Sequence, residues 1–339
     1  MNALTADFIR IAQNPVPPHA EVFHFTAPPA GRHATAKGAE KEAARLRGAF
    51  FPAPAPRGNV VLLNGRCEFI EKYFEVIEDL RGRGLNVATM DWRGQGLSAR
   101  MLDDPLRGHI DDFQTYTEDL RLFIETEAAP RFTDGPRLVM THSMGGLPTL
   151  RLLAEGYEGF ERAVLCAPML RLAMPAALQL FARAASATMT AAGAGGMAIA
   201  GVKEDSREFE GNVLTADRAR HERFRLLQEA APRACVAAPT YGWLNAAMTA
   251  MDDLFKPGRL AGLKTPVLIV SAENDRLVSS TAHEALAASY ELIENVTVPR
   301  ALHEILMEED NFRTAYWAHF DRFIEPVFAL AAANGAARA

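Results

Sequence analysis

The sequence predicts an α/β fold in which helices flank a mostly parallel central sheet and a helical block is inserted late in the chain. From residue 59 onward, short apolar runs alternate with helical periods, which is typical of a parallel sheet with helices on both faces. The alternation stops over residues 169–257, which read as helical and rich in alanine. In addition, Ser143 stands directly between an apolar strand and a helix.

Two strands are expected before the alternation begins. Residues 21–26 and 44–51 have the pattern of an antiparallel pair joined by a long polar loop. Three prolines in residues 52–56 then favour an extended linker. The elements expected after this linker are strands at 60–65, 86–90, 137–141, 162–167, from 265 and at 294–298, and helices at 69–81, 110–128, 145–153 and 311–332.

The composition excludes several classes of protein. The chain has 339 residues, of which 49% are hydrophobic and 23% are charged, as in an ordinary globular protein. A formal net charge of -6 provides no basic field for nucleic acid, so no nucleic-acid partner is expected. Three widely spaced cysteines favour a reducing compartment over a disulfide framework. The first residues lack the apolar core of a signal peptide, and we therefore expect a cytoplasmic protein.

The inserted block is expected to form a helical cap. Its uncharged stretch, residues 184–202, consists mainly of small residues and methionine, and it is too weakly apolar to cross a bilayer. We therefore predict no transmembrane segment, and a cap over residues 169–257 that makes peripheral contact with the inner membrane surface. The core domain is expected to comprise residues 15–168 and 258–335.

The segment RLVMTHSMGG, residues 137–146, predicts the sharp strand-to-helix turn that carries the nucleophile in α/β-hydrolases. Such a turn strains the backbone at Ser143 and holds its hydroxyl in the open, while Gly145 avoids a collision with the following helix. Thr141 replaces the first glycine of the usual motif. We therefore predict an α/β-hydrolase fold with Ser143 as the nucleophile. The alternative is an ordinary serine-glycine turn.

A serine hydroxyl is a poor nucleophile unless a base takes its proton, and nine histidines compete for this role. His303 follows the last predicted strand, in a loop that returns to the carboxyl ends of the strands, where open α/β sheets place their sites. His142 is adjacent to Ser143, so its side chain is expected to point away along the strand. His109 precedes a predicted helix and is expected to be structural. The sequence therefore favours His303 as the base.

The base needs a carboxylate that holds its tautomer and stabilises the imidazolium. Asp275 closely follows the preceding strand, in the segment SAENDRLV. The resulting order, Ser143 then Asp275 then His303, is the order of nucleophile, acid and base in α/β-hydrolases. Glu273 is the nearest rival, and Asp275 is favoured because it lies farther past the strand end.

Attack on an ester carbonyl produces an oxyanion, and fixed N–H donors aimed at it lower the barrier. The amide of Met144 faces the same space as the Ser143 hydroxyl in such a turn. A second donor is expected in the loop after the strand VVLLNG, where Gly65 lets the backbone turn and the Arg66 amide is the candidate. The alternative for this loop is a plain strand-to-helix turn.

Other motifs are incomplete. In HEILM, Met307 stands where a zinc-binding HExxH motif needs its second histidine, and there is no phosphate-binding lysine loop. We therefore expect neither a metal nor a cofactor. The polar segment DWRGQGLS, residues 91–98, is expected to form a rigid loop in which Asp91 accepts hydrogen bonds from backbone amides.

Seven segments occur along the chain in the order NGRCEFIEKY, DWRGQGLS, GHIDDFQTY, THSMGG, APML, PTYGWL and HEILME. As a set, they resemble the motifs of bacterial lysophospholipases of the α/β-hydrolase fold, and monoacylglycerol lipases share the same layout. The resemblance covers roughly residues 15–330. It implies the same nucleophile, acid, base and oxyanion amides as above. It also implies that Tyr241 and Trp243 line an acyl tunnel within the cap.

We therefore expect a serine hydrolase that cleaves the carboxylic ester of a lipid-like acyl chain through an acyl-enzyme. Lysophospholipid or monoacylglycerol is the expected small lipid-like substrate, and the alanine- and methionine-rich cap suits an aliphatic chain. The same machinery also fits an acyltransferase or a broad small-ester carboxylesterase. The non-enzymatic alternative is a ligand-binding protein on a hydrolase scaffold.

Overall fold

The computed structural model describes residues 8–30, 43–199 and 208–336. Its strands are β1 (Glu21–Ala27), β2 (Ala44–Phe51), β3 (Gly58–Leu63), β4 (Leu85–Met90), β5 (Arg137–His142), β6 (Arg162–Cys166), β7 (Val267–Ala272) and β8 (Ile293–Val298). Its helices are α1 (Phe74–Gly82), α2 (Gln114–Phe123), α3 (Gly146–Ala154), α4 (Ala176–Ala191), α5 (Arg218–Ala230), α6 (Tyr241–Leu254), α7 (Ser280–Ser289) and α8 (Asp310–Ala336). The predicted α/β fold is thereby confirmed.

All eight strands form one sheet in the order β1-β2-β4-β3-β5-β6-β7-β8. The expected antiparallel pair is present, because β1 pairs with β2 and β2 then pairs antiparallel with β4. The remaining neighbours, from β4 through β8, are parallel. The carboxyl ends of β3, β5, β6, β7 and β8 therefore lie along one edge of the sheet, and the loops that follow them meet there.

The central strands are buried on both faces, which explains their continuous apolar runs. In β3, Val60 and Leu62 pack with side chains of α1 and α8, whereas Val61 and Leu63 pack with those of α2 and α3. The sheet is thus the middle layer between two helical layers. This packing fixes the register of the strands, because a shift by one residue would exchange the two faces of each strand.

Two predicted elements have different limits in the structure. The helix expected at 110–128 begins at Gln114, where the Asp112 carboxylate accepts from the Gln114 amide, and its last turn, Ile124–Ala128, is π-helical. The strand expected at 60–65 ends at Leu63, so that Asn64 and Gly65 belong to the following loop. The sequence pattern of a buried strand extends two residues too far, because Asn64 and Gly65 are buried although they belong to the loop.

In the described residues between β6 and β7, where the cap is expected, lie the three α-helices α4, α5 and α6. Helices α4 and α6 pack against each other, and α6 also contacts α3 of the core. Helix α5 lies elsewhere, against the short 3₁₀ helix Ile70–Tyr73, with its Arg220 paired to Glu75 of α1. The domain limits 15–168, 169–257 and 258–335 stay a prediction. Residues 200–202 of the uncharged stretch and residues 31–42 of the polar loop lie outside the described part of the chain.

None of the described helices combines the length and the apolar character that crossing a bilayer would require.

Candidate active site

Ser143 lies at the sharp turn between β5 and α3. Its backbone φ is 48°, a left-handed conformation that costs free energy in a residue with a side chain. A Cβ at position 145 would lie 2.8 Å from the carbonyl oxygen of Asn64, and a Cβ at position 146 would lie 2.5 Å from the Cβ of Pro168. The turn therefore needs glycine at both positions, and it holds Ser143 at the carboxyl end of β5.

Thr141, which replaces the first glycine of the usual motif, is fully buried in β5. Its hydroxyl has no hydrogen-bond partner among the described residues. An unsatisfied buried hydroxyl costs about 1–3 kcal/mol. The replacement thus affects local packing and leaves the geometry of the turn intact.

The structure brings Ser143, His303 and Asp275 together in one hydrogen-bonded row. His303 Nε2 lies 2.9 Å from the Ser143 hydroxyl oxygen, and His303 Nδ1 lies 2.7 Å from Asp275 Oδ2. The other carboxylate oxygen of Asp275 accepts from the amides of Leu277 and Val278, at 2.8 and 2.9 Å. Both ends of the imidazole are therefore fixed.

The carboxylate of Asp275 is ionised in this arrangement. Burial would raise its pKa, but the hydrogen bond and charge of His303, together with the two backbone amides, lower the pKa below its usual value. The side chains of Asp275 and His303 are almost completely buried. Glu273, the rival for the acid, instead accepts from the amide of Arg300 at 2.7 Å and so links the loops after β7 and β8.

Within the described residues, two backbone amides in the loop after β3 are hydrogen-bonded to side chains and the amide between them is not. The Gly65 amide donates to Glu68 Oε2 at 2.5 Å, and the Cys67 amide donates to Gln95 Oε1 at 2.7 Å. The Arg66 amide between them has no acceptor among the residues that the structure describes. Met144 lies in the first turn of the 3₁₀ helix Ser143–Gly145, where backbone N–H groups lack a partner within the helix.

A buried charge cluster lies directly behind this loop. Lys72 Nζ binds both Glu68 Oε1 at 2.8 Å and Glu304 Oε1 at 2.5 Å, and Glu68 Oε2 also accepts from the Tyr73 hydroxyl at 2.7 Å. Glu304 directly follows His303 in the chain. We call Glu68, Lys72, Glu304 and His142 the charge cluster, and it connects the loops after β3, β5 and β8.

The charged states of this cluster follow from mutual compensation. Burial would raise the pKa of Glu68, but Lys72 and His142 lower it well below its usual value. Burial would lower the pKa of Lys72, but Glu304 and Glu68 raise it. Burial would also lower the pKa of His142, but the Glu68 carboxylate, 3.2 Å from its Nδ1, raises it. Each buried charge is therefore paired, which is what makes its burial tolerable.

The sequence-based expectation for His142 is wrong. Its side chain lines the same cavity as Ser143, and its ring centroid lies 5.0 Å from that of His303. His142 keeps an extended backbone (φ -122°, ψ 139°) and pairs with Cys166, so the alternation along β5 places its side chain on the face of Met140, where it meets Glu68 beside the cavity. His109, in contrast, binds Thr240 and Asp111 and lies outside the cavity wall, as expected for a structural residue.

The expectation for the Asp91 loop is confirmed. Asp91 Oδ1 accepts from the Ile70 amide at 3.0 Å, and Oδ2 accepts from the Leu97 amide at 2.7 Å and from the Arg47 side chain. A Cβ at position 96 would collide with the Asp91 carboxylate, which explains the glycine there. The loop therefore supports the sheet edge and contributes no group to the cavity wall near Ser143.

Ser143 opens into a cavity of about 610 Å³ with a mainly apolar wall. Tyr241 and Trp243, which the resemblance placed in an acyl tunnel, both line it. The wall on the cap side is formed by Leu172, Met174, Leu178, Phe181, Ala182, Ala185, Ile199, Leu214, Pro239, Tyr241, Trp243 and Leu244. Within the described residues, no group of three or more His, Cys, Asp or Glu side chains could hold a metal ion.

Comparison with known families supports the fold and the resemblance. The family described as serine aminopeptidase, S33, matches residues 54–310, which is more than half of the chain. The chain belongs to this family. The predicted resemblance to α/β-hydrolases is thereby confirmed, and the chain is a hydrolase.

Curated relatives of this hydrolase carry lipid-related names. Lysophospholipase L2 of Escherichia coli is 33% identical over 272 residues, covering 75% of this chain and 76% of that protein. The probable lysophospholipase L2 of Haemophilus influenzae is 29% identical over 265 residues, covering 77% and 82%. A monoacylglycerol lipase of Mycolicibacterium smegmatis is 26% identical over 263 residues, covering 77% and 86%.

Solved structures show the same fold at low sequence identity. A soluble variant of monoglyceride lipase from Saccharomyces cerevisiae, in complex with a substrate analog, matches with a TM-score of 0.68 at 18% identity. It covers 85% of this hydrolase and 94% of its own chain. A thermostable carboxyl esterase from Bacillus coagulans matches with a TM-score of 0.65 at 17% identity, covering 91% and 99%.

Proposed function

We propose that this hydrolase cleaves the carboxylic ester of a lipid with a single fatty acyl chain, namely a lysophospholipid or a monoacylglycerol. The observation that carries the proposal is the hydrogen-bonded row Ser143–His303–Asp275 at the polar end of a mainly apolar cavity. A cavity of this size and character is typical of sites for small apolar ligands. The names of the curated relatives support the same substrate class.

In the proposed mechanism, the Ser143 hydroxyl attacks the ester carbonyl while His303 Nε2 takes its proton. Asp275 stabilises the imidazolium that forms. The amides of Arg66 and Met144 donate to the oxyanion of the tetrahedral intermediate, and each such donor contributes about 3 kcal/mol. His303 then gives the proton to the leaving alcohol. A water molecule attacks the acyl-enzyme by the same route and releases the fatty acid and free Ser143.

The charges around the cavity favour an ester over a peptide with a free amino terminus. An aminopeptidase site needs a carboxylate that is available for the ammonium group of its substrate. Glu68 and Glu304 line the cavity, but both already bind Lys72. Their negative charge is therefore compensated within the protein, and a lipid ester suits the apolar remainder of the wall.

The mouth of the cavity supports the proposed contact with a membrane. On α4, Leu178, Leu180 and Phe181 are 51%, 69% and 69% exposed, and two of them, Leu178 and Phe181, also line the cavity. An exposed apolar patch that continues into a substrate cavity provides a route from a lipid surface to Ser143. We propose peripheral binding through this patch. A cytoplasmic location, at the inner membrane surface, likewise remains a proposal.

Turnover of esters with different acyl lengths tests this function. We expect nitrophenyl decanoate to be hydrolysed with a higher kcat/KM than nitrophenyl acetate, because a longer chain fills the apolar wall. The Ser143→Ala variant should lose about 10⁴-fold in kcat, as triad knockouts do. A preference for the acetate ester would favour a small-ester carboxylesterase.

Two further outcomes would point to other enzyme classes. Cleavage of aminoacyl substrates in place of esters would favour a peptidase, and fatty acyl transfer to added alcohol in preference to water would favour an acyltransferase. Unchanged turnover in Ser143→Ala would contradict the proposed nucleophile.

A further inference from the structure

Arg66 contributes a second group to the cavity besides its backbone amide. Arg66 is the one arginine or lysine that lines the cavity within the described part of the chain, and its guanidinium contacts Trp243, which lines the cavity as well. The side chain is half-buried, and its guanidinium carbon lies 5.0 Å from the centre of the Trp243 ring. A positive charge therefore stands at the polar end of a mainly apolar cavity, on the residue proposed to face the oxyanion.

Among the described residues, the guanidinium of Arg66 is held by a carbonyl and a thiol and has no acidic partner. One terminal nitrogen donates to the Ala237 carbonyl at 2.6 Å and the other donates to Cys67 Sγ at 2.9 Å. No Asp or Glu of the described residues lies within ion-pair distance of it. Lys72 behind the same loop shows the contrast, since it binds two carboxylates.

This arrangement has the properties of an anion site. A guanidinium has five N–H donors, and the carbonyl and the thiol occupy only two of them. The contact with the Trp243 ring and the bond to Ala237 hold the guanidinium in position before any ligand binds. A partly buried cation without a carboxylate partner gains when a ligand supplies the negative charge, and Arg is well suited to phosphate oxygens.

We propose that the Arg66 side chain binds the phosphate of a lysophospholipid and so selects phosphate-bearing leaving groups over plain glycerol. This inference rests on the proposed ester hydrolase function, since it concerns the leaving alcohol at the same site. In a lysophospholipid, the phosphate is separated from the acyl ester by the glycerol carbons only. The amide and the side chain of one residue can thus contact the reacting carbonyl and the head group of one substrate.

The test compares two substrates with the same acyl chain, an oleoyl lysophosphatidylglycerol and monooleoylglycerol. We expect Arg66→Met to lower the ratio of kcat/KM for the phospholipid over the glyceride by about 30-fold, which is the size of a charge-assisted hydrogen bond. Arg66→Lys, which keeps the charge without the planar fork, should give an intermediate ratio. Because the Arg66 amide acts on both substrates, any displacement of the backbone cancels in the ratio.

Arg100→Met is the matched control. Arg100 donates to the carbonyls of Arg233 and Cys235, in the same segment that Arg66 contacts through Ala237, but Arg100 does not line the cavity. We expect this variant to keep the wild-type ratio. An equal fall in the ratio for Arg100→Met and Arg66→Met would overturn the proposal, because the effect would then come from the shared segment.

A binding measurement completes the test. Glycerol phosphate should inhibit hydrolysis of nitrophenyl butyrate competitively in the wild type and in Arg100→Met, and it should inhibit Arg66→Met at least about tenfold more weakly. Equal inhibition of all three proteins, or a substrate ratio that Arg66→Met leaves unchanged, would overturn the role of Arg66 while ester hydrolysis itself stands. Absence of ester turnover by the wild type would instead overturn the proposed function.

Discussion

The two walls of the cavity differ in what holds them. The wall on the core side is built from loops after β3, β5 and β8, which the charge cluster of Glu68, Lys72, Glu304 and His142 ties together with buried hydrogen bonds. The wall on the cap side is apolar, and at α4 more than half of the surface of Leu178 and Phe181 is exposed. We infer that the two walls have different roles. The core-side wall fixes the reacting groups, and the cap-side wall adapts to an acyl chain.

The two walls differ because hydrogen bonds and ion pairs are directional and apolar contacts are not. A hydrogen bond or ion pair fixes both distance and angle, so it can hold an amide where a developing charge requires it. Apolar contacts have no such direction, and a wall of Leu, Met and Phe side chains accommodates chains of different length. The substitutions below test one wall at a time, each beside a control outside the cavity, in order of decreasing expected effect.

Glu68→Gln should have the largest effect. It keeps the shape of the side chain but removes the charge that holds Lys72 and the Gly65 amide. We expect kcat to fall about 100-fold with a smaller change in KM, because the neighbouring Arg66 amide would lose its fixed position. Loss of one partner of a buried pair should also lower the free energy of unfolding by about 3 kcal/mol.

Asp119→Asn separates the two consequences of that change. Asp119 forms an equally buried pair with Arg93, with hydrogen bonds of 2.7 and 2.6 Å, and lies outside the cavity wall. Chemical denaturation should show a similar loss of stability, while kcat should stay near that of the wild type. If both variants lost kcat equally, the charge cluster would have no specific role in placing the oxyanion loop.

His142→Gln should show a pH-dependent effect on stability. Glu68 raises the pKa of His142 despite burial, so the folded protein favours the protonated ring. This contribution is fully present below the unfolded pKa of about 6.5, and it is lost as pH rises through the folded value. The lead of the wild type over His142→Gln in unfolding free energy should therefore be larger at about pH 6 than at about pH 9.

For His283→Gln, we expect the opposite pH dependence of the unfolding free energy. Burial lowers the pKa of His283 to about 4, because its ring is enclosed between Ser271 and the Pro168 carbonyl. The folded state therefore disfavours protonation of His283, and the wild-type lead over His283→Gln should shrink as pH falls from about 6.5 towards 4. Parallel pH slopes for the two variants would show that His142 gains nothing from Glu68.

Phe181→Ala should have the smallest effect on chemistry and a measurable effect on membrane binding. We expect kcat for soluble nitrophenyl esters to change little, while partition onto phospholipid vesicles weakens about fivefold from the loss of apolar area. Leu330→Ala on α8 is the control, since Leu330 is 64% exposed and does not line the cavity. Equal weakening by the two variants in a flotation assay would argue against a specific role of α4.

The sequence predicts much of this molecule because its strongest signals are local. The strand-helix order follows from periodicity, and the turn at Ser143 is marked by Gly145 and Gly146, which directly follow it in the sequence. The loops carrying Asp275 and His303 follow strands of a parallel sheet, so topology alone brings them to the same edge. The catalytic roles of these residues stay a prediction.

The charge cluster was not predictable in the same way. Lys72 and Glu304 are separated by 232 positions in the chain, and no local pattern relates two charges at such a distance. The surroundings of His142 depend on Glu68, which is 74 positions away in the chain, so the strand pattern shows the face on which the side chain lies and not what it meets there. Only the spacing of Glu68 and Lys72, four positions apart, offered a signal for this cluster.

The most direct measurement is covalent labelling by a fluorophosphonate, followed by mass spectrometry of the modified peptide. A serine reacts readily with this probe only when a base activates it and fixed donors bind the phosphonate oxygen. If Ser143 is the activated nucleophile, one adduct forms, on Ser143, and it disappears in Ser143→Ala and weakens strongly in His303→Ala. An adduct on a different serine, or no adduct in the folded protein, would contradict this role of Ser143.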